Sequence, residues 1–436
     1  MGAYEGNRFQ RLTDLVLLGI RKAFPSVPLW HVSRNVIILL VSTLAVNVIS
    51  IPFIAFLARA LGVEGFGKYS VALTFAMISV MVIDMGTGKL LTREISRGEA
   101  AESAVIGASI FPKPFLFAIT LVGGMLAGRA LGYSGMQISA IGLGIGIAGM
   151  MAMTVAARAV FHAHQRMEYD AIGLLAERVV TIACAVVAVK LGFGLLGVLV
   201  AVLLGNVTDA LLSWIFVRRR FIPVVSIKDH MQVWTYLRMG FPLFLAAFFS
   251  TLYLRANVLM VDRILGSHAA GWFNAALQIN FLAIYVPQML SLALFPVISR
   301  LAHHDTHALE ITSRKGAWAM AFSGTLIAAF IFLVADWLIH LVYSAQFVPS
   351  IGVLRILAVG LPFTFTSSIL ALVLVATNRQ ATVGRATIIV TAINIGLNLI
   401  FIPIFGLNGS AYVAVITEVT LMAQYAFAVA LPKRIV

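Results

Sequence analysis

Twelve stretches of this chain are long and apolar enough to cross a lipid bilayer, and no other feature restricts its fold as tightly. About 20 apolar residues span the ~30 Å hydrocarbon core as a helix. Backbone polar groups in lipid must be satisfied within the segment, so runs of this length are read as α-helices. The runs cover residues 36–58, 69–88, 114–130, 136–157, 171–190, 196–217, 240–261, 272–298, 318–342, 351–376, 382–403 and 409–431, the third being the weakest. Composition agrees. Hydrophobic residues make up 61% and charged residues 11%, against about 25% charged in a soluble domain, and the mean hydropathy is +0.99. The sequence predicts an all-α polytopic membrane protein with almost no soluble mass.

The basic residues set its expected orientation. With the N-terminus inside, 24 of the 31 Lys and Arg residues fall in inner segments. Five fall outside (Arg59, Lys68, Arg129, Lys190 and Arg263), and Arg255 and Arg355 lie within spans. Cytoplasmic loops carry such an excess, so the sequence predicts a multi-pass protein of the cell inner membrane with both termini cytoplasmic. The same placement accounts for the net charge of +14 without nucleic acid as a partner. In residues 1–35, Phe9, Leu12, Leu15, Val16 and Ile20 recur at helical spacing among Arg8, Arg11, Arg21 and Lys22. This reads as an amphipathic helix on anionic membrane lipids, ended by Pro25 and Pro28; a disordered tail is the plainer alternative. The first long apolar run lacks a small-residue cleavage site and is expected to be a retained span. The lone Cys184 excludes an intramolecular disulfide and a cysteine metal cluster.

The chain repeats itself. Arg59-Ala60-Leu61-Gly62 recurs as Arg263-Ile264-Leu265-Gly266, and the same offset of 204 relates Gly67 to Gly271, Tyr69 to Phe273, Ala72 to Ala276 and Leu73 to Leu277. Near the ends of the halves, Gly194 and Gly197 match Gly406 and Gly409. Six spans repeated with an even count give two six-helix lobes in parallel orientation, a transporter architecture with the pathway between the lobes. The expected organisation is a cytoplasmic segment at 1–35, an N-terminal lobe at 36–217, a cytoplasmic linker at 218–239 and a C-terminal lobe at 240–436.

Several blocks carry a resemblance. They are Leu57-Ala58-Arg59-Ala60-Leu61-Gly62 with Gly65-Phe66-Gly67 and Tyr69, Asp84-Met85-Gly86, and Thr92-Arg93-Glu94. Leu341-Val342-Tyr343 through Phe347 follows with Leu354 and Leu357, then Asn394, Asn398, Ile402-Pro403, Gly406, Gly409 and Ala411. In this order the chain resembles the bacterial polysaccharide repeat-unit flippases of the multidrug/oligosaccharidyl-lipid/polysaccharide (MOP) exporter superfamily, over nearly all of its length after residue 35. The resemblance implies twelve spans in two lobes around a cavity. It also implies transfer of a polyprenyl-diphosphate-linked oligosaccharide from the inner to the outer leaflet, with polysaccharide polymerase and assembly proteins as partners. The long basic N-terminal extension departs from it.

Two other functions compete. A multidrug antiporter of the same superfamily would need an acidic, aromatic site, which Arg255 opposes. A membrane enzyme of glycan assembly would need a sizeable outer segment, whereas the outer links are short. No catalytic residues, cofactor or metal are expected. Gly62 to Lys68 has phosphate-loop spacing, but Tyr69 stands where Ser or Thr should follow. Gly144, Gly146 and Gly149 match a dinucleotide fingerprint inside a span. Gly142 with Gly146, and Gly124 with Gly128, read instead as small-residue helix contacts. His303, His304 and His307 are expected as solvated loop residues.

Ionisable residues within spans cost about 2.5–3.5 kcal/mol or more, which makes them functional candidates. For binding diphosphate or sugar these are Arg255, Arg178, Lys89 and Arg355, since guanidinium and ammonium groups bond phosphate oxygens. Lys89, Arg178 and Arg355 can equally snorkel to headgroups. Asp84, Asp209, Glu418 and Glu177 are candidates for ion coupling or for interlobe ion pairs, Glu177 also for local pairing. Arg255 lies ~22 Å along its span from Gly240 at 1.5 Å per residue, too deep to snorkel easily.

Overall fold

A computed structural model describes residues 29–98, 102–221 and 230–430. The proposed N-terminal amphipathic helix therefore lies outside the described residues. Those that are described form thirteen α-helices and no strand. In chain order they are α1 (Leu29–Asp84), α2 (Thr87–Arg97), α3 (Glu102–Ile110), α4 (Lys113–Ala130), α5 (Met136–Ala163), α6 (Met167–Lys190) and α7 (Gly194–Arg220). The second half holds α8 (His230–Leu265), α9 (Ser267–His304), α10 (Thr306–Val342), α11 (Ser350–Ala376), α12 (Gln380–Phe405) and α13 (Leu407–Ala430).

Among the described residues, eleven helical stretches are long and apolar enough to cross a membrane. The first of them, Val48–Asp84, contains Gly62, whose φ of 67° and ψ of 178° are not helical. Only glycine adopts this conformation readily. A straight helix of 56 residues would run ~84 Å, far beyond a bilayer. α1 is therefore two spans joined at Gly62, and the described residues make twelve passes. Gly266, which separates α8 from α9, has the matching φ of 89° and ψ of 171°, so the sequence repeat at offset 204 is also a repeat of backbone geometry. Alternate passes bring Leu29 and Ala430 to one face, with Met85–Gly86, and place Gly62, Gly266 and Gly406 at the other.

Packing follows the same repeat. At the Gly62 face, Gly67 lies against the backbone of Ser267, and Gly271 against that of Val63, so residues related by the repeat touch reciprocally. Phe66 packs tilted against Tyr343 and edge-on against Phe347, with ring centroids 6.1 and 5.9 Å apart. At the Gly86 face, a Cβ on Gly240 would come within 2.6 Å of the Met85 carbonyl oxygen, so the halves meet closely there too. Outward, α10 exposes Phe322, Leu326, Phe330, Leu333 and Trp337 along one stripe. Water would not tolerate so long an apolar face, but lipid covers it.

Three details depart from the sequence reading. α8 begins ten residues before 240 and α9 runs to His304, so His303 and His304 end a helix rather than a loop. In α5 the packed stripe is Ala140, Gly144, Ala148, Ala152 and Ala156, with Gly144 against Ala72. Gly142 meets nothing within 4 Å and Gly146 touches only Leu203, so they are not close helix contacts; Gly124 and Gly128 do press on Ile145 and Ile138.

Candidate functional site

The acids of the first half find partners within that half. Lys113, at the start of α4 and 2% exposed, donates to Asp84 Oδ1 at 2.7 Å, and the Gly88 amide donates to Asp84 Oδ2. Arg158 of α5 bridges two carboxylates, reaching Asp170 Oδ1 and Asp209 Oδ2 at 2.8 Å each. His162, one turn along, contacts the other Asp170 oxygen at 2.8 Å, and Ser213 donates to Asp209 at 3.1 Å. Close packing of α6 on α7 makes room for this: Gly173 faces the Asp209 carboxylate, and Gly205 faces Thr181. Thr181 donates to Glu177 at 3.0 Å, and Arg178 lies 3.6 Å from the other Glu177 oxygen. Asp84 and Asp209 are therefore not interlobe ion pairs, because basic groups on adjoining helices of their own half already neutralise them.

Arg255 has a different setting. Its guanidinium lies 5.0 Å from the centre of the Phe281 ring, and it forms no ion pair among the described residues. It lines a cavity of about 320 Å³ walled by α1, α8, α9 and the end of α10. Ser50, Gln278, Tyr285 and Gln288 add hydrogen-bonding groups among apolar walls. Two acids that could pair with it, Asp262 and Glu418, are engaged elsewhere. Asp262 accepts from the Tyr133 hydroxyl at 2.7 Å, a bond between the halves. Glu418 accepts from Tyr253 at 2.8 Å.

Glu418 belongs to a buried polar cluster in the second half. Asn398 donates to Asn257 Oδ1 at 3.0 Å and to Asn394 Oδ1 at 3.1 Å, and Tyr253 and Asn394 both approach Thr417 Oγ1 at 3.4 Å. A small cavity of about 60 Å³ opens among Tyr253, Asn257, Asn280, Asn394, Thr417 and Glu418, and it shares Leu254, Phe281 and Ile284 with the Arg255 cavity. The remaining basic candidates stand apart. Lys89 is exposed on α2, whose buried face is Thr87, Gly88, Leu90, Leu91 and Ile95. Arg355 donates to the Phe332 carbonyl at 3.3 Å and lies over that ring. Of the four basic candidates, Arg255 alone lines the cavity between α1 and α9.

A family profile described as polysaccharide biosynthesis protein matches residues 32–302. The chain belongs to this family. A second profile, MatE, matches residues 242–400 of the same family member. Among solved structures it is similar to an inward-facing multidrug resistance MATE family transporter of the MOP superfamily, with TM-score 0.74 and 18% identity over 88% of this chain and 96% of that one. It is also similar to the lipid II flippase MurJ in an inward closed conformation, with TM-score 0.73 and 14% identity over 89% and 86%. A MOP superfamily transporter from Pyrococcus furiosus follows, with TM-score 0.64 and 17% identity over 91% and 93%. No curated protein matches the chain. This polysaccharide biosynthesis family member thus has the MOP transporter fold.

The residues that sequence reasoning passed over are those that complete a partner's chemistry. Lys113 and Arg158 are among the 24 basic residues assigned to inner segments, although Pro112 and Pro114 around Lys113, and the four-residue spacing of Arg158 to His162, mark helix positions. Asn394 and Asn398 are one turn apart in the mainly apolar C-terminal part of their span, and that spacing was the available signal for the polar cluster.

Proposed function

We propose that this protein transfers polyprenyl-diphosphate-linked oligosaccharide repeat units from the inner to the outer leaflet of the cytoplasmic membrane by alternating access. The observation that carries this reading is Arg255: a guanidinium without an acidic partner among the described residues, inside a cavity walled by both halves. Leaving such a charge uncompensated is costly, and a diphosphate compensates it with two oxygens in the fork geometry that arginine prefers. Gln278, Gln288 and Tyr285 offer donors and acceptors for sugar hydroxyls beside it. The polysaccharide family match supports the glycan. With the Gly62 face outside, a diphosphate carrying about two charges gains roughly 4–5 kcal/mol on crossing 100 mV outward. That Glu418 is bonded to Tyr253 rather than to a base supports a role for it in coupling cation entry. A multidrug exporter is the second reading, favoured by the MatE match over residues 242–400.

Proteoliposomes holding a fluorescent polyprenyl-diphosphate saccharide test the assignment. Arg255→Ala should lower the flipping rate at least tenfold with the protein still inserted, and Arg255→Lys should restore part of it. An alanine variant that is well folded and fully active removes the diphosphate assignment. Cationic-drug efflux by the native protein without lipid flipping favours the exporter.

A further inference from the structure

A second concavity lies beside the Arg255 cavity, on the outer length of α1's first span. Its volume is about 650 Å³, and it runs between Ile51, Pro52, Phe56 and Arg59 of α1 and Leu341 and Val342 of α10. Pro52 contributes directly to its shape. It lies within the helix with no amide hydrogen to bond the preceding turn, and its ring lines the groove. Arg59 stands three residues before Gly62, so by helical rise it lies only ~5 Å from that turn, whereas Arg255 lies ~16 Å from the equivalent Gly266. Arg59 is exposed and donates through Nη2 to the Leu341 carbonyl at 2.8 Å. A guanidinium has five N–H donors, and this bond uses one.

The two spaces meet. Ile51 and Val342 line both of them. A lipid whose phosphate leaves Arg255 therefore needs to pass only that pair of side chains to reach the groove, moving toward the Gly62 face. The groove's composition is that of a lipid seat: apolar side chains along its length, with a single cation at the interfacial end. On the flippase reading above, we propose that this groove is the release site for the same substrate. Arg59 takes the phosphate groups, and Pro52 and Phe56 hold the first isoprene units as the lipid enters the outer leaflet. A capping role alone is the plain alternative, since Arg59 bonds a carbonyl at the C-terminal end of α10, where cations are favoured. Its repeat partner Arg263 packs on Gly132 in the other half and serves as a control.

Photocrosslinking in proteoliposomes separates these roles. Phe56 or Tyr285 is replaced with benzoylphenylalanine, to sample the groove or the Arg255 cavity, and a radiolabelled polyprenyl-diphosphate monosaccharide is the probe. Labelling at position 56 should fall at least tenfold in Arg59→Gln, be largely retained in Arg59→Lys and be unchanged in Arg263→Gln. Labelling at 285 should persist in all three. Inorganic diphosphate should compete at 56 in the native background, which keeps the test valid if Arg59→Gln does not fold. Equal labelling at 56 with and without Arg59, or labelling outcompeted as well by phosphatidylglycerol, overturns the release site and leaves a helix cap or an annular lipid. Labelling at 285 but not at 56 overturns the release site alone. The absence of labelling at both positions overturns the flippase reading with it.

Discussion

The reciprocal contact of Gly67 and Gly271 holds the Gly62 face shut, and one added methyl group tests it. A Cβ on Gly67 would overlap the Ser267 carbonyl oxygen and lie 2.8 Å from its carbon and 3.0 Å from the Gly271 nitrogen. Carbon atoms pack at about 3.5–4.0 Å, so the two helices would have to part there. Overpacking of this kind costs about 1–3 kcal/mol, and it falls only on the conformer that is closed at this face. At 1.4 kcal/mol per factor of ten, Gly67→Ala should shift the closed-to-open ratio roughly 5- to 150-fold. Gly271→Ala should do the same against Val63, and the double variant should give less than the sum, because the two contacts share one interface. With Cys184 replaced by serine and cysteine placed at Val63, which is 6% exposed, a membrane-impermeant maleimide reads the opening. Its labelling rate should rise about tenfold in Gly67→Ala, while Gly240→Ala, which crowds Met85 at the opposite face, should not raise it. Unchanged labelling with full transport in Gly67→Ala would refute the contact as a gate.

Two further outcomes can be checked. Arg158→Met removes the guanidinium that Asp170 and Asp209 share, leaving His162 on Asp170 alone, and should cost about 3–5 kcal/mol in detergent thermal unfolding, with recovery when Asp209→Asn is added; an unchanged melting temperature rejects the bridge as structural. Reporter fusions after residues 64 and 268 should read extracytoplasmic and one after 307 cytoplasmic, and a cytoplasmic signal at 268 breaks the assigned orientation.

The twelve passes were legible because a bilayer fixes the length of an apolar run, and the turn at Gly62 was legible because its motif recurs at Gly266. Helix ends were not: α8 and α9 continue past the hydrocarbon, where apolarity stops reporting on structure. Helix faces were obscure for a related reason. A span apolar all round carries no amphipathic stripe, so nothing in α5 distinguished Gly144, which packs, from Gly142, which does not. At the site, Arg255 stood out as a lone guanidinium deep in an apolar run. The pairings of Asp84 with Lys113, 29 residues away, and of Arg158 with Asp209, 51 away, depend on which helices are neighbours, and no single segment records that. Asn257, Asn394 and Asn398 escaped because uncharged amides barely perturb hydropathy, although burying three together demands mutual hydrogen bonds.

Among the described residues each ion pair lies within one half or the other, which bears on how a carrier working by the proposed alternating access would return empty. Asp84 travels with Lys113, and Asp170 and Asp209 travel with Arg158, so rocking the halves separates no pair among the described residues. Breaking such a pair in a low-dielectric interior costs several kcal/mol, and that cost never enters the cycle. What must yield is short-ranged: aromatic rings around Phe66, the hydrogen bonds from Tyr133 to Asp262 and from Arg59 to Leu341, and glycines against backbone. In the proposed alternating-access cycle the idle half-cycle is thus a mechanical step, expected to be nearly indifferent to ionic strength, with the paired charges carried along as fixed ballast.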